Sequence, residues 1–253
     1  MSDDGTRAIA QLDLQRSSLL RSVTHDLRTP LAAIRAIVTD LYAGVEYDDE
    51  TRTELLQTVC DEVDRLDRLV GNLLSMSRIE AGVFEPQHQA IDLRELVRHR
   101  LQVLAPLLRE ITVTTDIEVG LAFADGDYGQ IEEVLTNLLG NAVRHVPEGS
   151  KVIIRARELP IDIAAGEAFI EVAVVDHGPG IPEELRERIF EPFQKGPGSR
   201  STGLGLAICR GIITAHGGTI RIDDTPGGGA SVVFTIPVRD SIDAGETNGD
   251  GSA

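Results

Sequence analysis

The segment Ser22-Val23-Thr24-His25-Asp26-Leu27-Arg28-Thr29-Pro30-Leu31 gathers side chains suited to nucleophilic and acid–base work. An apolar stripe runs Leu20, Val23, Leu27, Leu31, Ile34, Val38 and Leu41, at helical steps of three and four. His25 stands two residues from both Val23 and Leu27, about 200° around the helix, which turns its imidazole to solvent. Such an imidazole can serve as a nucleophile. Asp26, beside it, can hold or deprotonate one ring nitrogen and leave the other free. Thr29, at i+4, brings a hydroxyl to the same face. Pro30 removes the helical bond to residue 26, and a kink is expected there. Taken alone, the segment reads first as a solvated surface histidine.

A second set of chemistry-bearing residues lies in the later half. Asn137 and Asn141 share one helix face, and carboxamide oxygens suit Mg²⁺ held jointly with phosphate. Arg144 and His145 follow one turn on, placed to meet phosphate. Asp176-His177-Gly178-Pro179-Gly180 directly follows an apolar strand. There a carboxylate can accept from an exocyclic amine while glycines admit ligand to the backbone. Phe190-Glu191-Pro192-Phe193 brackets a turn, and the loop Gln194–Thr202 after it carries Lys195 and Arg200. Gly203-Leu204-Gly205-Leu206 opens a helix whose free N–H groups suit phosphate. Each piece has a plain alternative: solvated asparagines, a tight turn, an ordinary Gly-x-Gly. Neither a Rossmann fingerprint nor a Walker A sequence is present.

Two long helices over residues 8–81 would carry the first set, broken near Gly44 and restarted at Asp48-Asp49-Glu50. The second helix repeats the stripe with Leu55, Val59, Val63, Leu66, Val70 and Leu73. One helical hairpin buries little, so a two-fold dimer forming a four-helix bundle is expected, with packing against the rest of the chain as the alternative. Residues 82–90 read as a linker. Residues 91–238 read as an α/β sandwich: helices over 92–109, 127–146 and 203–216, and strands over 111–114, 151–159, 168–175, 220–222 and 231–236. Residues 239–253 form a polar tail expected to be disordered.

Composition bounds the function. Apolar residues make up 42% and charged residues 26%, the mix of a globular chain. A net charge of −17 argues against binding nucleic acid or an anionic membrane surface. Cys60 and Cys209 are too few for a disulfide framework or a zinc site. No apolar run reaches the ~18 residues of a membrane span. The expectation is a cytoplasmic chain, or the cytoplasmic part of a membrane-bound sensor.

With these motifs in order, the chain resembles the catalytic core of bacterial two-component sensor histidine kinases. His25–Leu31 (HDLRTPL) is similar to the H box, Asn137–Asn141 to the N box, Asp176–Gly180 to G1, Phe190–Phe193 to F and Gly203–Leu206 to G2. The forms HDLRTPL and GLGLAICR are similar to the subgroup of potassium-responsive sensor kinases. The resemblance implies a dimerising phosphoacceptor hairpin and an Hsp90-like ATP-binding domain. It implies ATP-dependent phosphorylation of His25 and transfer to an aspartate of a response-regulator receiver domain. Asp26 would be the acid–base partner, where most members carry Glu, and Thr29 would support regulator dephosphorylation. Asn141 would coordinate Mg²⁺ with Asn137 nearby, and Arg144 and His145 would contact phosphates. Asp176 would bind the adenine amine, with Gly178 and Gly180 shaping the pocket. Phe190 and Phe193 would anchor a lid, and Lys195 or Arg200 would reach from it. Gly203, Leu204 and Gly205 would line the phosphates. The lid is short, nine residues between Phe193 and Gly203, and Ser201 stands where a further glycine is frequent. The alternatives are a phosphatase-biased or scaffold signalling protein, and a non-kinase Hsp90-like ATPase.

Overall fold

The computed structural model describes residues 3–83, 85–160, 168–194 and 202–239, with side chains from residue 23 onward. The expected tail beyond residue 239, and Lys195, Arg200 and Ser201, lie outside the described residues. The chain divides into two compact units. One comprises residues 1–77 with 191–204; the other comprises residues 78–190 with 205–253.

The first unit is a helical hairpin of α1 (Asp3–Tyr42) and α2 (Asp49–Glu80). Gly44, at φ 77°, takes the left-handed conformation that ends α1. Asp48 restarts the helix by accepting from the Thr51 N–H at 2.7 Å and the Thr51 hydroxyl at 3.0 Å. These bonds hold the Asp48 carboxyl below its ordinary value. α1 runs on through Pro30, which is buried. The expected apolar stripe divides in two. Leu27, Ile34, Leu41, Leu55, Val59, Leu66 and Leu73 are half-buried. Leu31, Val38, Val63 and Val70 remain open to solvent in the single chain, as do Leu56 and Leu74, which lie beside the expected stripe.

The second unit is built on a five-stranded sheet. Its strands are β2 (Thr112–Ile117), β4 (Lys151–Glu158), β5 (Phe169–Val175), β6 (Ile220–Asp224) and β7 (Ala230–Pro237), in the order β2-β4-β5-β7-β6. Only β2 and β4 run parallel. The helices are α3 (Leu93–Val103), α4 (Tyr128–His145) and α5 (Gly205–Ala215). β5 is apolar except for Glu171, which meets Arg221 at 2.9 Å, because it is central and buried residues stand on both its faces. Ile170, Val172 and Val174 alternate with Ala173 and Val175, which cluster with Val233 and Ile153. Two short strands, β1 (Gln89–Ile91) and β3 (Ala124–Gly126), pair antiparallel beside this sheet.

Several boundaries differ from the sequence expectation. α3 stops at Val103 rather than 109, because Pro106 offers no N–H and disfavours helical backbone at the residue before it. α5 starts at Gly205, not 203, since Gly203 sits at φ 72°, outside the helical region. β2 covers residues 112–117 rather than 111–114, extending through Thr115 and Asp116. That extension is polar because β2 is an edge strand, and Asp116 meets Arg157 at 2.7 Å. β1 begins inside the stretch expected as linker.

Candidate functional site

In the hairpin unit the reactive side chain is presented rather than enclosed. The His25 side chain is 80% exposed, while that of Asp26 is 13% exposed. Asp26 Oδ1 lies 3.3 Å from His25 Nδ1, so Nε2 is the nitrogen facing outward chemistry. The Thr29 hydroxyl donates to the His25 carbonyl at 3.3 Å, one helical turn away. An imidazole held at one nitrogen by a carboxylate and open at the other is arranged for in-line attack on an approaching electrophile.

In the α/β unit four segments converge, each through a glycine that lets backbone come close. α4 carries Asn137, Asn141, Arg144 and His145. A Cβ on Gly205, at the start of α5, would stand 3.1 Å from Asn137 Oδ1. A Cβ on Gly178 would stand 2.8 Å from the His145 carbonyl, so the turn after β5 lies against the end of α4. Gly180, at φ 74°, meets the Gly229 carbonyl. Gly229, at φ 112°, has no room for a side chain: a Cβ there would fall 2.1 Å from the Asp176 carbonyl.

This packing orients Asp176. Its Oδ1 accepts from Gly178 N–H at 2.9 Å and Ala230 N–H at 3.1 Å, and its own N–H donates to the Ala230 carbonyl at 2.8 Å. Oδ2 has no protein donor among the described residues. The carboxylate is thus fixed by two backbone donors on one oxygen and offers the other. Gly229 and Ala230 are positioning residues that sequence reasoning passed over. The run Gly227-Gly228-Gly229 before an apolar strand is the signal that could have found them.

Arg144 donates to Asn141 Oδ1, which fixes the direction of the carboxamide. Partial burial, then the neighbouring Arg144 charge, holds the His145 imidazole below its ordinary value against the opposing pull of Asp176, which keeps it neutral at neutral pH. The first turn of α5 holds no acidic residue, so its free N–H groups keep their attraction for an anion. Phe190 is 3% exposed and lies 5.9 Å beneath the Arg210 guanidinium. Phe193 takes a left-handed φ of 65°, and its N–H donates to the Gly203 carbonyl at 2.9 Å. That bond closes the two ends of the loop on each other.

The structure therefore brings together Asn137, Asn141, Arg144, His145, Asp176, Gly178, Gly180, Phe190 and Gly205 in one unit. Phe193, Gly203 and Leu204 fall in the other unit, with His25, Asp26 and Thr29. Among the described residues no cluster of three or more His, Cys, Asp or Glu could hold a metal ion by itself. No helix among them is long and apolar enough to cross a membrane.

Comparison with known proteins gives two family matches. Residues 15–82 match the His Kinase A (phospho-acceptor) domain. Residues 126–240 match the histidine kinase-, DNA gyrase B- and HSP90-like ATPase family. The chain is 39% identical to the sensor protein KdpD of Mycobacterium tuberculosis over 238 residues, covering 90% of this chain and 27% of that protein. It is 31% identical to the histidine-protein kinase/phosphatase MprB of Mycolicibacterium paratuberculosis, covering 95% of this chain and 47% of the relative. Among solved structures it is similar to histidine kinase ThkA in complex with the response regulator TrrA, with TM-score 0.69 and 26% identity over 91% of this chain and 64% of that one. The isolated catalytic domain of ThkA is 32% identical over 60% of this chain and 98% of that domain, with TM-score 0.53. The chain thus spans about a quarter to a half of the length of these two curated relatives.

Proposed function

Because the chain belongs to the sensor histidine kinases of two-component signalling, we propose that it phosphorylates its own His25 from ATP and passes the phosphoryl group to an aspartate of a response regulator. The observation that carries this is the His25–Asp26 pair: a solvent-facing imidazole whose Nδ1 is engaged at 3.3 Å. The Nε2 lone pair attacks the γ-phosphorus in line. The bond to the β-phosphate oxygen breaks, and ADP leaves with its electrons. Asp26 meets the Nδ1–H and balances the positive charge that the ring gains. Attack by a receiver carboxylate then breaks the N–P bond and restores neutral His25.

The ATP-binding domain lies in the matched residues 126–240. Within it Asp176 Oδ2 accepts the adenine amine, and the free N–H groups of α5 with Arg144 face the phosphates. Mg²⁺ suits the site: one carboxamide oxygen, Asn141 Oδ1, with the nucleotide's own oxygens is a hard oxygen donor set. When bound, the ion neutralises charge on the phosphates. Catalysis otherwise rests on alignment and charge, the main demands of phosphoryl transfer.

The domain reading is a phosphoacceptor hairpin over 8–81, a linker over 82–90 and an ATP-binding domain over 91–238. The open residues Leu31, Val38, Leu56, Val63, Val70 and Leu74 form the face on which a second copy completes a four-helix bundle. Thr29, and the likeness to a kinase/phosphatase, support regulator dephosphorylation as a second output. Incubation with γ-labelled ATP and Mg²⁺ tests the reading. Acid-labile, alkali-stable label that is lost in His25→Gln supports it. Label persisting in that variant overturns the assignment of His25.

A further inference from the structure

A cluster of titratable groups lies away from the nucleotide residues, where the chain enters the α/β unit. His216, in the turn that follows α5, is 2% exposed. Its two ring nitrogens have opposite duties. Nδ1 donates to the Ile212 carbonyl at 2.8 Å, and Nε2 accepts from the Asp127 N–H at 3.0 Å. A carbonyl can only accept and an N–H can only donate, so this geometry admits one neutral tautomer and excludes the imidazolium. The ring also fills the space beside Gly126, where a Cβ would stand 2.7 Å from it.

The residue bonded to that nitrogen has two further partners. Asp127 is the N-cap of α4, accepting from Gln130 N–H on Oδ1 at 3.1 Å. Its Oδ2 accepts from the backbone N–H of Gln87 at 3.2 Å, inside the stretch that follows α2. Next to Gln87, the His88 imidazole sits 2.7 Å from Asp125 Oδ2 through Nδ1. Asp125 Oδ1 takes Arg239 at 2.9 Å. The His88 and His216 rings lie 5.8 Å apart. The groups facing His216 are therefore Asp127 on α4, Asp125 on β3 and His88 ahead of β1, with Arg239 held on Asp125.

We propose that His216 is a proton-sensitive latch that fastens residues 87–88 to the first turn of α4. While neutral, His216 holds the Asp127 backbone, and Asp127 holds both the helix start and Gln87. Protonation of Nε2 sets an N–H against an N–H, and the Asp127 bond is lost. The cap of α4 and the grip on Gln87 then loosen together. α4 is the helix that carries Asn137 and Asn141, so the latch ties the chain's entry into this unit to the footing of the nucleotide residues. Burial, above all, holds the His216 imidazole below its ordinary value, and the neighbouring His88 adds to this. The folded state binds this proton less readily than the unfolded chain. Its contribution is complete above the ordinary imidazole value and is lost as pH falls through the lowered one.

Hydrogen exchange on the full chain between pH 8 and pH 5, corrected for intrinsic rates, tests the latch without reference to kinase activity. The Gln87 and Asp127 amides are expected to lose protection together by about tenfold per pH unit below the His216 midpoint, while the β4 and β5 amides keep theirs. His88→Gln, at the partly exposed ring, should move that midpoint upward. His216→Gln should remove the pH dependence. If the Gln variant does not fold, the His88 variant decides. Protection at Gln87 and Asp127 that is flat until the sheet itself opens, or a midpoint unmoved by His88→Gln, overturns the proposal.

Discussion

The two units solve opposite problems. In the hairpin, the His25 imidazole stands in solvent and Leu31, Val38, Val63 and Val70 of the apolar stripe are uncovered. In the α/β unit, Leu138, Leu139, Ile154, Ile170, Ile208 and Phe234 are sealed, and the site forms where glycines let four segments touch. The hairpin leaves apolar side chains and His25 open, as the proposed bundle with a second copy requires. The α/β unit is finished from within, and backbone donors already hold the Asp176 carboxylate. Exposure is thus a requirement in one unit and a fault in the other. The same substitution type should read out differently in each.

Replacing His25 by Gln makes the largest chemical change and the smallest structural one. Phosphoryl labelling is expected to vanish while nucleotide affinity and melting temperature stay within error, as equilibrium binding and calorimetry would show. Phe234→Ala should do the reverse, costing about 3–5 kcal/mol of stability in urea titration, the range for deleting a sealed aromatic. Gly229→Val forces a side chain into the Asp176 carbonyl at a left-handed φ. Nucleotide affinity should fall by about tenfold or more, each 1.4 kcal/mol of lost orientation counting as tenfold. Val63→Glu, on the open stripe, should leave each chain folded but shift its molar mass by light scattering from two copies toward one. If Val63→Glu unfolds the chain, the contrast between the units fails. Asp26→Glu lengthens the carboxylate by one methylene and keeps its charge. It should change the labelling rate least, and single-turnover kinetics would measure it.

Much of this was readable from residue patterns, for different reasons in each region. α4, β4, β5 and β7 fall within a residue or two of their expected spans because burial imposes a period that the apolar residues must follow. β1 and β3, at three residues each, are too short to carry a period, and they exist only through pairing across a long separation. Asn141, Asp176 and the helix-opening glycines stand out by residue type as candidates. What orients Asp176 does not, because Ala230 reaches it from the start of the neighbouring strand β7, 54 residues further along the chain. The latch at His216 was invisible for the same reason: Asp127, Gln87 and His88 become its neighbours only when the sheet closes.

The parallel pairing of β2 with β4 bears on how the molecule acquires its shape. These strands are joined through α4, so they cannot lie side by side until that helix has swung across to cover them. Closing so long a loop is a slow step, because chain entropy is lost before the pairing rewards it. During synthesis the hairpin emerges before the α/β unit and its contacts are local. Nucleotide-binding competence should therefore lag behind helix content in a refolding experiment, appearing only when β2 takes its register.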